Sequence, residues 1–382
     1  MSEAGSLRTT QADISPGMID LAIGHPSPSL LPVDLIRRAA GERLAGDFTP
    51  YLQYGYEPGD GYFRQELASF LKRRYQVPVS AEQLFVSGGV SQALDLLCTV
   101  YTKPGDLVFV EEPTYFLALR IFADHGLKAV ALPTDEHGLV VEALAEALKT
   151  RRPAFLYTIP TYQNPSGATL PRERRRRIVE LSHERGFLIV ADEVYHLLSY
   201  GDPPPPPLSA FVEEETVVSL GSFSKILAPG LRLGWIHAAW KLLQPLAECG
   251  FLDSGGGVNP FTSAVVRGAL EAGMQDEHLQ RLHEEYGRRL RTLNEVLERR
   301  MGDRVYFERP SGGFFFWLRL RDGRNAGVLL DAAVRHKTRF VPGSAFSAGD
   351  GMNDRLRLSF SYHPPETLVE GVERLAQSLA SL

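Results

Sequence analysis

Four short apolar runs, each passing directly into polar residues, restrict what this chain can fold into more than any other feature. Leu84-Phe85-Val86 leads into Ser87-Gly88-Gly89, and Leu107-Val108-Phe109-Val110 leads into Glu111-Glu112-Pro113-Thr114-Tyr115. Ala154-Phe155-Leu156-Tyr157-Thr158 precedes a loop that contains Asn164, and Phe187-Leu188-Ile189-Val190 precedes Ala191-Asp192-Glu193-Val194-Tyr195. Helical stretches, such as residues 116–125 and 171–185, separate them. Continuous apolar runs of this kind are strands buried on both faces of a mainly parallel sheet, which makes the fold class α/β. Ligands of such sheets collect where strands end at their carboxyl side. Tyr115, Asn164 and Asp192 fall there, and a fifth run, Thr216-Val217-Val218-Ser219-Leu220, brings Lys225 to the same edge.

Lys225 stands alone among small, apolar and hydroxylic residues until a Pro229-Gly230 turn and Arg232. An amine enclosed by such neighbours has a lowered pKa and can act as a nucleophile, whereas a lysine on an open loop stays solvated. Ser222, Ser224 and Arg232 suit a phosphate held beside that amine. The strand, glycine turn and helix around Gly88-Gly89-Val90-Ser91 form a second anion site in physical terms, although a Gly-Gly pair also serves simply to reverse a chain. A nucleophilic lysine beside a phosphate site suggests pyridoxal phosphate.

Composition narrows the alternatives. With 382 residues, 44% hydrophobic and 23% charged, the chain has material for one large core and a smaller domain. Its formal charge of -5 offers no basic footprint for nucleic acid. The only two cysteines, Cys98 and Cys249, make neither a disulfide framework nor a zinc cluster and fit a reducing compartment, the cytoplasm by default. No apolar run approaches bilayer length. Residues 1–18 read as a flexible arm. Arg174 to Arg177 read as a solvated helix face offset by Glu173, Glu180 and Glu184, and Pro203 to Pro207 as a rigid surface loop, with a ligand for a proline-recognising module as the minor reading. Residues 253–263 read as a glycine-rich loop opening a helix. A boundary falls near 273–277, after which a long amphipathic helix and the runs at 305–307, 313–320, 338–343 and 355–360 predict a smaller α+β domain.

The strand-end residues and the lysine segment, in this order, resemble the fold-type I pyridoxal-phosphate aminotransferases of class I/II, most closely the branch of 2-aminoadipate, kynurenine and multisubstrate enzymes. The resemblance runs from about Ile19 to the end. It implies a mainly parallel seven-stranded sheet in a large cofactor domain (41–275), a small α+β C-terminal domain (276–382), and an N-terminal arm (1–40) packing with the small domain. Lys225 resembles the Schiff-base lysine and proton carrier, and Asp192 the carboxylate that pairs with the pyridine nitrogen. Asn164 and Tyr195 resemble donors to the ring's phenolic oxygen, Asn164 also touching the substrate carboxylate. Tyr115 resembles the aromatic cover of the ring. Val90, Ser91, Ser222, Ser224 and Arg232 would hold the phosphate, joined by Tyr54 from a second subunit, which implies a homodimer. Arg357 resembles the arginine that grips the substrate α-carboxylate, and Gly24 the glycine whose backbone lines the pocket.

The sequence departs from that branch where side-chain selectivity is set: His25 stands in place of leucine, residues 254–257 are rich in glycine, and no substrate-gating helix is evident near the N-terminus. The implied reaction is transfer of an amino group from an L-amino acid to a 2-oxo acid in two half-reactions. The same residues would also serve elimination, such as a C–S lyase, or decarboxylation. A cofactor-sensing domain of a transcription regulator is a third reading; against it, the sequence shows no DNA-binding segment.

Overall fold

The computed structural model describes residues 10–47 and 49–382, so the first half of the expected arm lies outside the described residues. Among the described residues fourteen strands occur in chain order: β1 (Ile19–Asp20), β2 (Leu84–Ser87), β3 (Leu107–Glu112), β4 (Lys128–Asp135), β5 (Gly138–Leu139), β6 (Phe155–Thr158), β7 (Leu188–Asp192), β8 (Val217–Ser222), β9 (Gly234–Ala238), β10 (Val305–Tyr306), β11 (Phe315–Leu320), β12 (Thr338–Arg339), β13 (Val341–Pro342) and β14 (Arg355–Ser359). The large sheet has the order β2-β9-β8-β7-β6-β3-β4-β5. The five neighbours β8, β7, β6, β3 and β4 run parallel, β9 runs against both β8 and β2, and β5 is a two-residue antiparallel appendage. The seven strands of the expected sheet are therefore present, with β5 as an eighth.

Strand alternation explains why the central runs are apolar throughout. Val108 and Val110 of β3 face one layer with Phe155, Tyr157 and Val190, closed by Leu94, Leu97 and Phe122 from helices Val90–Tyr101 and Phe116–Asp124. Phe109, Leu156 and Ile189 face the other layer, closed by Ile178, Val179 and Leu181 of helix Arg172–Arg185. Both faces are covered by helices, as a parallel sheet requires. Two strands, β4 and β9, escape a search for continuous apolar runs. β4 keeps only Leu132 buried, and β9 follows the Pro-Gly turn of the lysine segment so closely that it reads as part of it.

Beyond helix Met274–Met301 a four-stranded antiparallel sheet has the order β10-β11-β14-β13. Leu282, Tyr286, Leu290, Leu293 and Leu297 of that helix share a core with Leu368, Val372, Leu375 and Leu379 of helix Pro365–Ala380. The N-terminal segment joins this part of the molecule: β1 pairs in parallel with β12, and Ser359 N donates to Leu21 O at 2.8 Å.

Three expectations are corrected. Arg175 is no part of a solvated face: it is 1% exposed and donates to Leu170 O, Pro160 O, Thr161 Oγ1 and Pro206 O, tying the loop after β6 to the proline stretch. Arg174 and Arg177 do pair with carboxylates nearer the surface. The proline stretch is consequently pinned at Pro206 and buried at Pro207 rather than standing free for a recognition module. Asp253 to Gly255 end a short helix, Gly250–Gly255, and only the following residues form the loop before helix Pro260–Glu271.

Candidate active site

The strand ends of β3, β6, β7 and β8 converge with β14 and the segment after β1. Asp192 is the last residue of β7 and is 4% exposed. Its Oδ2 accepts from Tyr157 Oη at 2.8 Å, and its Oδ1, fully buried, has no hydrogen-bond partner. Burial pushes its carboxyl up to about 6, against the hydrogen bonds from Tyr157 and the Val194 main chain and the attraction of Lys225. Lys225 follows β8 in a turn begun by Ser222. Its Nζ donates to Gly24 O at 2.9 Å and stands 5.7 Å from the centre of the Phe314 ring. Burial lowers its ammonium to about 8, helped by Arg357 and opposed by Asp192. Both groups are thus shifted toward neutrality by the same enclosure.

Arg357, inside β14, is 4% exposed and its described partners include no carboxylate. Nη1 donates to Asn164 Oδ1 at 2.8 Å and Nη2 to Ala22 O at 2.7 Å, while the buried Nε has no partner. The guanidinium lies 4.0 Å from the centre of the Phe315 ring and 4.9 Å from that of Phe346, so flat aromatic faces hold it without consuming its donors. Its strand neighbour Arg355 is half-buried beside Asp354 instead. Gly24 is required here, since a Cβ would lie 2.8 Å from Phe315 Cζ.

Asn164, with its Oδ1 engaged by Arg357, keeps its amide NH2 available as a donor. Tyr195 is buried against the edges of Phe314 and Phe315, which raises its hydroxyl far above the usual range. Tyr115 caps helix Phe116–Asp124. Burial raises its hydroxyl to about 12, with Asp192 adding to the rise and Arg357 opposing it. His25 is half-buried, and burial, Lys225 and Arg357 all lower its imidazole pKa.

A separate group of donors gathers at the start of helix Val90–Tyr101. Ser222 Oγ donates to Ser224 Oγ at 2.9 Å and accepts from Ser224 N at 3.0 Å. Arg232 Nη2 donates to Gly88 O at 2.7 Å. Gly89, with φ +92°, leaves the space: a Cβ there would lie 3.0 Å from Arg232 Nη2. Val90 and Ser91 open the helix with free amides beside the Arg232 guanidinium, and Ser222 pairs in register with Gly234, which packs against Gly89.

Tyr54 behaves differently. It is 83% exposed and packs by the Gly256 loop. Reasoning from sequence missed Tyr157, Glu111, Gln163 and the Phe314, Phe315 and Phe346 rings. Tyr157 was visible only as one member of an apolar run; its bond to Asp192 follows from β6 and β7 lying side by side.

The unpaired Asp192 Oδ1, the unpaired Arg357 Nε, the enclosed amine and the helix-start anion site match the needs of pyridoxal phosphate: a cation for the carboxylate, an aldehyde for the amine and an anion for the helix. The model of the family described as aminotransferase class I and II matches residues 16–375. The chain belongs to that family. It is 37% identical to aromatic-amino-acid aminotransferase 1 of Thermococcus litoralis over 95% of this chain and 88% of that one. Among solved structures it resembles the multiple substrate aminotransferase of Thermococcus profundus, with TM-score 0.90 and 35% identity over 96% of this chain and 92% of the other. It also resembles LysN, the α-aminoadipate aminotransferase of Thermus thermophilus, solved with N-(5'-phosphopyridoxyl)-L-leucine, with TM-score 0.87 and 33% identity over 96% and 93%. This aminotransferase has the fold-type I architecture and uses pyridoxal phosphate. Among its described residues no helix is long and apolar enough to cross a membrane.

The Asp192 shift carries a sign that can be tested. A carboxyl near 6 in the folded protein and near its ordinary value when unfolded binds more protons when folded between those two values. In cofactor-free protein its contribution to stability is therefore fully present below pH 4 and is lost as pH rises through 6, by about 3 kcal/mol. Urea unfolding of cofactor-free protein from pH 4 to 7 should show Asp192→Asn losing less stability over that window than the unsubstituted protein.

Proposed function

We propose that this aminotransferase works through Lys225, the enclosed amine beside the half-satisfied Asp192; that pairing is the observation that carries the assignment. Pyridoxal phosphate, when bound, supplies an aldehyde that takes up the amino group and a ring that draws off the electrons left at Cα. Asp192 Oδ1 would hold the ring nitrogen in its protonated form. The Asn164 amide and the Tyr195 hydroxyl would donate to the ring oxygen, and Tyr115 would cover the ring. Val90, Ser91, Ser222, Ser224 and Arg232 would hold the phosphate. Arg357 takes the α-carboxylate of the amino or oxo acid, above the space kept open at Gly24. Lys225 Nζ takes the proton from Cα and returns one in the reverse half-reaction, which its lowered pKa permits near neutral pH.

Residues 41–275 form the cofactor-holding part of this reading, and 276–382 with the N-terminal segment the part that brings Arg357. The pairing of β1 with β12 and the Arg357 bond to Ala22 O support that grouping. Tyr54 completes the phosphate site of a second copy. In support, Leu52, Tyr54, Tyr56, Phe251 and Phe261 all leave apolar surface exposed around loops that meet at Gly55 and Gly256, and Asn259 of the same region bonds Arg232 O. Two free cysteines suit a reducing compartment, so the cytoplasm is its place of work.

Mixing the holoenzyme with one amino acid and no oxo acid should release one equivalent of 2-oxo acid per site without ammonia. Release of ammonia would assign elimination instead. The shared site has its own signature. Lys225→Ala and Tyr54→Ala proteins should each be weak or inactive alone, and dissociating and mixing them should restore activity, since a hybrid dimer holds one site with both residues intact. No recovery on mixing would place Tyr54 outside the neighbour's site.

A further inference from the structure

Two adjacent carboxylates at the end of β3 are left without a role by these assignments. Glu111 is 1% exposed and accepts from Thr158 Oγ1, from Ile159 N at 3.1 Å and from Gln163 Nε2 at 3.1 Å. Gln163 is fully committed: Nε2 also donates to Pro113 O at 2.7 Å, and Oε1 accepts from Ser166 N at 2.8 Å. The next residue is Asn164, whose Oδ1 receives Arg357 Nη1. Glu111 therefore fixes the loop that carries one partner of Arg357.

Glu112 points to the opposite face of the strand and does the corresponding job there. It accepts from Ser347 Oγ and from Ala348 N at 2.9 Å, and Ser347 Oγ in turn accepts from Gly349 N and Gly351 N, each at 3.1 Å. The residue before this knot is Phe346, whose ring lies 4.9 Å from the Arg357 guanidinium and whose carbonyl accepts from Thr114 N at 2.9 Å. No cation is among the described partners of either carboxylate. Several main-chain and hydroxyl donors converge on each instead, which a carboxylate can satisfy at once because it carries acceptor sites only.

We propose that Glu111 and Glu112 are positioning residues for substrate binding: one carboxylate fixes Asn164 and the other fixes Phe346, and together they aim the Arg357 fork at the substrate's α-carboxylate. This rests on the reading of Arg357 given above. A fork held from two sides keeps its free donors in one direction, and a displacement of about 1 Å in such a group can cost up to roughly 100-fold.

The test uses holoenzyme and four substitutions: Glu112→Ala, Glu112→Gln, Glu111→Gln and Arg357→Ala. It reads kcat and KM, the dissociation constant of 3-phenylpropanoate as a carboxylate without an amino group, the absorbance spectrum before any ligand is added, and cofactor content. Glu112→Ala should raise KM for amino and oxo acids and weaken 3-phenylpropanoate in step, by roughly 10- to 100-fold, with a smaller change in kcat. Spectrum and cofactor content should stay as they were. Glu112→Gln, with one acceptor oxygen where Ser347 Oγ and Ala348 N use two, should recover only part of the loss, and Glu111→Gln should move in the same direction as Glu112→Ala. Unchanged 3-phenylpropanoate binding in Glu112→Ala overturns the proposal even if Glu111→Gln fails to fold, and so does loss of cofactor with carboxylate binding intact. Arg357→Ala separates the two levels: if it too leaves carboxylate binding unchanged, the reading of Arg357 is at fault.

Discussion

A carboxyl buried at the end of a central strand, with one oxygen held by Tyr157 and the other unpaired, is the constraint on which the rest of this molecule depends. Such a group is unfavourable unless a cation faces it, and in this chain it is kept by a sheet whose two apolar faces leave it nowhere to go. The same enclosure that raises Asp192 to about 6 lowers Lys225 to about 8. At pH 7 roughly one tenth of an amine at that value is neutral, against about one in three thousand for an ordinary lysine. The site thus holds an acid and an amine whose charges are both poorly tolerated, and a cationic ring with a reactive aldehyde relieves both.

The architecture distributes the remaining tasks by direction. Parallel strands β3, β6, β7 and β8 send their carboxyl ends to one edge, so residues from 115 to 225 meet without long loops. The antiparallel sheet brings Arg357 from the other side and lays it between two rings that compete for none of its donors. The carbonyls of Ala22 and Gly24 cap both cations at once, which makes the segment after β1 part of the pocket wall.

Much of this was legible in the sequence because parallel sheets write their strands as continuous apolar runs and end them in the residues that bind. Lys225, Asp192, Asn164, Tyr115 and Arg357 were all placed by that rule or by spacing within a family motif, and the structure gathers them. What escaped was whatever depends on neighbours distant in sequence. Arg175 looks like its flanking arginines in the sequence until the loop at Pro160 and the prolines at Pro206 close over it. β4 is half-exposed and so lacks an apolar run. Glu111 and Glu112 mark only the polar end of an apolar run in the sequence, because nothing local reveals that Gln163 and Ser347 reach them. Tyr54 is the converse case, a residue whose proposed partner lies outside its own chain.

The claim that one enclosed amine anchors the cofactor is tested most directly by reducing the holoenzyme with borohydride, digesting it and locating the phosphopyridoxyl group by peptide mass mapping. The label should fall on the peptide containing Lys225 and on no other lysine. Stoichiometric label at Lys241, Lys337 or any other lysine, with Lys225 unmodified, would contradict the assignment.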